Sequence, residues 1–548
     1  MFWAAPSIRV GGIDSPRPAS QRAAAFILTA AMLTTFTAPA FAKTWYIENG
    51  DITISAGKTE GTNKVSQGST TDEEDTDTVI TNNNRDTASS HTVTIDAGND
   101  KVEVTLKDVN IKADSGSALT SNGDVTLTLK GENHLTGGNG DIYGGDGITS
   151  SGSLTISGGT VTATGGNNTG SDGSGGSGIY SVSGSVTISG GTVNATGGEG
   201  SKNNSTSGGS GIYSDSGDVT ISGGTVNANG GNGGTISGGD GICSSGGVTI
   251  SSGSTVTANG GSGEDGSGGR GITSNGGVTV SGGTVNAKGG SGKNGNGGDG
   301  ILSFNPVAIS GGTVKSNGGS GTISGGDGIR SLDHVAISGG TVKSNGGSGN
   351  LSGGNGIISY DIDLSGSLEL TAKAGSPNGK ALSRAGKELD LNTIKDKLGP
   401  GAKVTVTDAN GKVNQVSIPR PVEPEEPVIP EESSSSSDGG SATSSAPASP
   451  LPGLTVTDKD GQRISYTSTQ SGNTLTVCVG RFTASFRISL AALRQLRAEG
   501  IEAITFQTIL CSTTLSVDEL LTMGGEDAEI VLTHHIRSST LTVGGKAV

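Results

Sequence analysis

One phrase recurs along this chain about eight times between Gly147 and Ser359. It reads Gly-Ile-x-Ser, a Val-Thr-Ile-like triplet, Ser-Gly-Gly, a Thr-Val-x-Ala-like run, and then a Gly-rich loop. One copy runs Gly178-Ile-Tyr-Ser181, Val186-Thr-Ile188, Ser189-Gly-Gly191 and Thr192-Val-Asn-Ala195. Its apolar anchors are Ile148, Ile179, Ile212, Ile242, Ile272, Ile301, Ile329 and Ile357, separated by 31, 33, 30, 30, 29, 28 and 28 residues. A repeat of this length specifies a solenoid, in which each unit buries its apolar face only against the next.

Each copy holds three short runs of period two, the pattern of half-buried strands. Val186 and Ile188 face inward with Thr187 outward, Val193 and Ala195 face inward, and Ile179 faces inward with Tyr180 outward. Ser-Gly-Gly supplies the positive φ of a tight corner. Helix is disfavoured in the repeats because glycine returns every few residues. The 100 glycines among 548 residues would suit a disordered chain, but the strict placement of Ile, Val and Thr argues for order. The expected fold is therefore mainly β: a right-handed parallel β-helix with three strands per coil and about 28–33 residues per repeat. A Pro/Ser linker and a small α+β domain follow it.

The register extends beyond the regular copies. Val93-Thr-Ile95, Val102–Leu106, Val109-Asn-Ile111 and Val125–Leu129 read as earlier, less regular coils, and Leu119 precedes Ile148 by 29 residues. Ile362-Asp-Leu364 and Leu368–Ala372 read as a last coil, with Leu389–Leu398 and Val404-Thr-Val406 as a cap, the atypical end a solenoid needs. The organisation expected is a signal peptide at 1–42, an N-terminal cap with irregular first coils at 43–145, and regular coils at 146–360. A last coil and C-terminal cap follow at 361–418, a Pro/Glu/Ser linker at 419–453, and the α+β domain at 454–548. In that domain Ser489 is expected to cap a helix from Leu490 to Ala498, and Ser516-Val-Asp-Glu519 to open a second.

Arg17 and Arg22 precede the apolar run 23–36, and Ala40-Phe41-Ala42 is a small-x-small cleavage site. Cleavage after Ala42 is expected, giving a secreted, extracellular protein. The apolar run is too short to span a bilayer well, and no other stretch qualifies. Leu451-Pro-Gly-Leu-Thr455 lacks the final glycine and hydrophobic tail of a sortase signal, so any surface association would be non-covalent. The net charge of −16 becomes −18 when residues 1–42 are removed, which disfavours nucleic acid as a partner. Three cysteines, Cys243, Cys478 and Cys511, do not make a disulfide scaffold; a Cys478–Cys511 pair is one arrangement the strands would allow.

Val104–Ile111, Ser115-Gly-Ser-Ala-Leu119 and Leu127–Thr136 together resemble secreted bacterial carbohydrate-binding-domain proteins. The resemblance covers roughly 43–418. It implies a non-catalytic parallel β-helix related in shape to pectate lyases, a polysaccharide or cell-wall glycan as partner, and calcium as an accessory ion.

The residues themselves offer ladders rather than a catalytic set. Catalysis needs acids, bases or nucleophiles gathered at one place, yet His91, His134 and His334 are isolated, so no enzyme is expected. Tyr180 and Tyr213 fall one coil apart at one outward position, a small platform of the kind that stacks on sugar rings. Asn194 and Asn227 repeat in the same way and offer amides to hydroxyls. Asp299 and Asp327 fill the x of Gly-Gly-x-Gly on adjacent coils, as Asp146 and Asp240 do elsewhere. Two such carboxylates about 4.8 Å apart are candidate calcium ligands. The acidic run Asp72-Glu-Glu-Asp75, with Asp77, is expected to be a solvated loop rather than a further cation site. Thr187, Thr220, Thr249 and Thr279 form a row that lapses into Ala308 and Ala336, so no ice-binding lattice is built. Two functions remain: a secreted polysaccharide-binding β-helix, or a structural or adhesive surface rod without a specific glycan.

Overall fold

The computed structural model describes residues 42–419 apart from Asn203, and 453–547 apart from 459–461, 465, 472, 480, 482, 509–511, 524–527, 535–538, 544 and 545. The expected signal peptide up to residue 41, residues 420–452 of the expected linker, and Cys511 lie outside the described residues. Two compact units divide between Pro424 and Glu425.

The first unit is a β-solenoid of about 13 turns. In a regular coil, strands Ile179–Ser181, Val186–Ile188 and Thr192–Thr196 each pair in parallel with the same strand of the next coil. The registers match residue for residue: Ile179 over Ile212, Val186 over Val219, Val193 over Val226. Leu119 stands under Ile148, so the register does begin before the regular copies. Stacking like on like puts every inward Ile and Val at essentially zero exposure in one continuous core.

Two kinds of glycine turn the chain. The second glycine of Ser-Gly-Gly has the positive φ expected of a corner: 77° at Gly191, 79° at Gly224 and 79° at Gly312. Glycines in the long loops serve a different purpose. Each loop leaves the coil and returns through a Gly-Gly pair, and the two pairs interleave between coils. Gly198 N–H donates to Gly176 O, Gly209 to Gly198, Gly231 to Gly209 and Gly239 to Gly231, and the zigzag runs on to Gly375. A Cβ on Gly209 would lie 1.9 Å from the Gly176 carbonyl oxygen. These positions are glycine because backbones touch there, not because of φ.

Buried serines satisfy the first corner. Ser181 Oγ donates to Gly184 O at 2.6 Å and Ser214 Oγ to Gly217 O at 2.8 Å. At the C-terminal end a 3-10 helix, Leu391–Lys397, covers the last coil with Leu391 and Ile394 buried. Strand Val413–Ser417 then runs antiparallel to Lys403–Thr407, ending the parallel stack.

The N-terminal end departs from the sequence reading. Strands Asn63–Gln67 and Thr70–Asp75 are added antiparallel beside Ile52–Ala56. The acidic run is thus an edge strand rather than a loop, and Asp75 is 0 % exposed. Strand placement follows from pairing: Glu74 opposes Lys64, and Glu73 meets Lys43 at 2.6 Å.

The second unit has a five-strand and a four-strand sheet, with helices Leu490–Ala498 and Val517–Thr522. Ser489 Oγ accepts from Ala492 N–H, and Ser516 Oγ from Glu519 N–H, as expected of N-caps. Phe486 of one sheet meets Phe506 of the other, ring centroids 4.7 Å apart. His534 is fully buried with Nε2 3.0 Å from Thr513 Oγ1, and burial lowers its pKa. Cys478 is a free thiol, 3.4 Å from Gln507 Oε1.

Candidate functional site

Outward positions of the first strand stack make one column: Thr149, Tyr180, Tyr213, Cys243, Thr273, Leu302, Arg330 and Ile358. Tyr180 and Tyr213 occupy directly paired positions, and their rings stack with centroids 5.2 Å apart and planes 12° from parallel. Both are half-buried. Tyr213 Oη donates to Asp215 Oδ1 at 2.7 Å. Burial, and then nearby Asp215, raise the pKa of both phenols. Stacked face to face, each ring covers one face of the other, and their half-exposed remainder with its hydroxyls is what the pair can offer a sugar ring.

Next to this column is a depression of about 300 Å³, lined by Ser207, Ser210, Ser237, Asp240, Ser267 and Arg270. Its carboxylate touches the column, since Thr273 Oγ1 donates to Asp240 Oδ2 at 2.6 Å. Hydroxyls, a carboxylate and a guanidinium therefore lie within a few coils of the tyrosine pair.

The structure does not bring the two asparagines to this place. Asn194 and Asn227 belong to the third strand of each coil, whereas the tyrosines belong to the first. Asn227 Nδ2 donates to Asn194 Oδ1 at 2.8 Å. Asn259 to Asn229 and Asn345 to Asn317 repeat the bond at 2.8 and 2.7 Å. Each amide is thus partly engaged in holding coil to coil, and Asn194 Nδ2 also donates to Thr162 Oγ1 of the preceding coil at 3.5 Å.

Asp299 and Asp327 also bind the coils together. Asp299 Oδ1 accepts the Asp327 backbone N–H at 2.7 Å. Asp327 Oδ1 accepts the Asn355 N–H and Nδ2 at 2.5 and 2.8 Å. Asp146 and Asp240 do the same for Ser177 N–H at 2.6 Å and Arg270 N–H at 2.7 Å. Asp299 and Asp327 are only 8 % and 6 % exposed. Burial, with Asp327 adding to it, pushes the Asp299 carboxyl up to about 6. Burial also raises Asp327, against the opposing Asn355 bonds and Arg330. The donor set is short for calcium, which takes six to eight oxygens. One oxygen of each carboxylate is held by backbone, and Arg330 Nη1 stands 3.8 Å from Asp327 Oδ2. No group of three or more His, Cys, Asp or Glu that would suit a metal occurs among the described residues. Asp299 and Asp327 also lie three and four coils from Tyr213 along the column.

Two surface features escaped the sequence reading. Phe304, Leu332 and Tyr360 follow Ser303, Ser331 and Ser359 on consecutive coils and are 47 %, 40 % and 72 % exposed. Their uniform 28-residue spacing is visible in the sequence one place beyond the Ile-x-Ser phrase. The second is a groove of about 600 Å³ at the first coils, lined by Tyr46, Asn82, Arg85, Lys107, Asp108 and Lys130. Tyr46, Thr81, Lys107 and Lys130 form one column through direct pairing. No repeat spacing marks it, because these coils are irregular in length.

Comparison of the chain with protein-family models, with curated proteins and with solved structures found no match.

Proposed function

We propose that this protein is an extracellular, non-catalytic polysaccharide-binding β-helix, with Tyr180 and Tyr213 as the sugar-stacking platform. The observation that carries the reading is the stacked pair itself. Two partly exposed rings held parallel on a rigid strand stack offer aromatic contact with little conformational freedom left to lose on binding. Cys243 and Thr149, above and below them in the column, keep the platform to two rings and suit a short stretch of glycan. The serine-lined depression with Asp240 and Arg270 supplies hydrogen-bonding groups for ring hydroxyls. The reading does not depend on calcium: one oxygen of each of the Asp299 and Asp327 carboxylates is held by the neighbouring coil, and the pair lies apart from the tyrosines.

A structural or adhesive rod is the second reading, and the coil-to-coil ladders favour it. Asparagine, aspartate and glycine at the repeated positions join one coil to the next, as a spacer would require. The test is retention of the purified protein on immobilised pectin, cellulose and mucin glycans, with calcium and with chelator. Retention lost in Tyr180→Ala/Tyr213→Ala supports the glycan reading; no retention on any of them leaves the rod.

A further inference from the structure

We propose that hydrolysis of the Ala42–Lys43 bond gives Asp75 its counter-ion, so that processing completes the N-terminal cap of the solenoid. Asp75 is fully buried. Its Oδ1 accepts the backbone N–H of Lys43 at 3.1 Å and that of Asp77 at 3.2 Å, and its Oδ2 accepts Trp45 Nε1–H at 2.8 Å. All three donors are neutral in the unprocessed chain. The Lys43 side chain does not help: its Nζ pairs with Glu73 at 2.6 Å and lies 4.0 Å over the Trp45 ring. Among the described residues no side-chain cation pairs with Asp75. A buried carboxylate without an opposite charge is costly, and here the missing charge is one covalent step away.

Ala42 is exposed and Lys43 half-buried, so the bond lies where the chain emerges from the cap. Ala40-Phe41-Ala42 presents small residues at the first and third positions before it, the pattern read by signal-peptide-type peptidases. Such a peptidase adds water across the bond. The acyl carbon of Ala42 takes the oxygen and departs as a carboxylate, while the nitrogen of Lys43 takes up protons and becomes –NH3+. That nitrogen is the atom already 3.1 Å from Asp75 Oδ1. A neutral hydrogen bond becomes a half-buried ion pair without movement of the strand.

A carboxylate this close holds the α-ammonium form, so its pKa rises above the ordinary value of about 7.7–8.0. The sign follows from linkage. The stabilisation is fully present below that ordinary value and is lost as pH rises through the raised one.

The full gene is expressed in a host that exports it, and the amino terminus is sequenced. Protein beginning at Lys43 is then compared, free and Nα-acetylated, by thermal unfolding at pH 6.5 and pH 10.5. The α-amino pKa is measured in parallel by NMR after labelled reductive methylation. Expected are a start at Lys43, a Tm higher by about 3 °C or more for the free amine at pH 6.5, and little difference at pH 10.5. The α-amino pKa should lie at least about one unit above its ordinary value. Asp75→Asn should abolish the difference between free and acetylated forms; if that variant does not fold, the α-amino pKa of the unsubstituted protein decides. A start elsewhere overturns the proposal, and so does an ordinary pKa with equal Tm values.

Discussion

Tyr180 lies face to face with Tyr213, ring centroids 5.2 Å apart, because their backbones pair directly on adjacent coils. The β-helix sets the distance, since strands stack about 4.8 Å apart, and the rings need only tilt slightly to meet. If this pair is the binding platform, Tyr180→Ala and Tyr213→Ala should each weaken glycan retention about tenfold, near 1.4 kcal/mol. Thermal stability should change little, because both rings lie outside the core. Affinity electrophoresis together with a melting curve separates the two effects.

The glycine zigzag makes a sharper structural prediction. Gly209→Ala places a Cβ 1.9 Å from the Gly176 carbonyl oxygen, a backbone atom that cannot move aside alone. Gly190 has nothing within 4 Å of where its Cβ would be. Gly209→Ala should therefore lower Tm by many degrees and Gly190→Ala by almost nothing, although both replace a glycine of the same repeat.

Ile242 stands between Ile212 and Ile272 and is fully buried. Ile242→Ala should cost about 2–5 kcal/mol. In a solenoid that loss weakens two coil interfaces together. Chemical denaturation should show a loss of this size, with a premature transition in the solenoid and none in the second unit.

The paired carboxylates predict a pH dependence. The folded Asp299 pKa of about 6 exceeds the unfolded value of about 3.9. The folded state therefore binds more protons between those values. This contribution to stability is fully present below about pH 3.9 and is lost as pH rises through about 6. Asp299→Asn keeps an acceptor for the Asp327 N–H, as Asn355 already does for Lys380 N–H at 2.9 Å. It should raise Tm at pH 8 and flatten the Tm profile between pH 4 and 6. A variant less stable than the parent at pH 8 would show that the charge contributes favourably.

The core was legible in the sequence because its inward residues repeat: Ile179, Val186, Ile188 and Val193 are read directly by period two within the repeat. The Ser-Gly-Gly corners were legible for the same reason. The role of Gly209 was not, since a forbidden Cβ depends on the backbone of the coil below, which no single repeat displays. Asp75 was misplaced because the N-terminal cap has no period to reveal that its acidic run pairs as a strand. The juxtaposition of Tyr180 and Tyr213 was legible from spacing alone, whereas the burial of Asp299 and its bond to Asp327 N–H were not. The spacing of Asp299 and Asp327 suggested a cation site; the geometry turns both carboxylates to the next coil.

The most direct measurement is retention of the purified protein on polygalacturonate, cellulose and mucin glycan gels, beside Tyr180→Ala/Tyr213→Ala, with calcium and with chelator. Retention is expected on at least one glycan, unchanged by chelator and reduced at least tenfold in the double variant. No retention on any gel, or retention that the double variant leaves intact, would contradict the glycan reading.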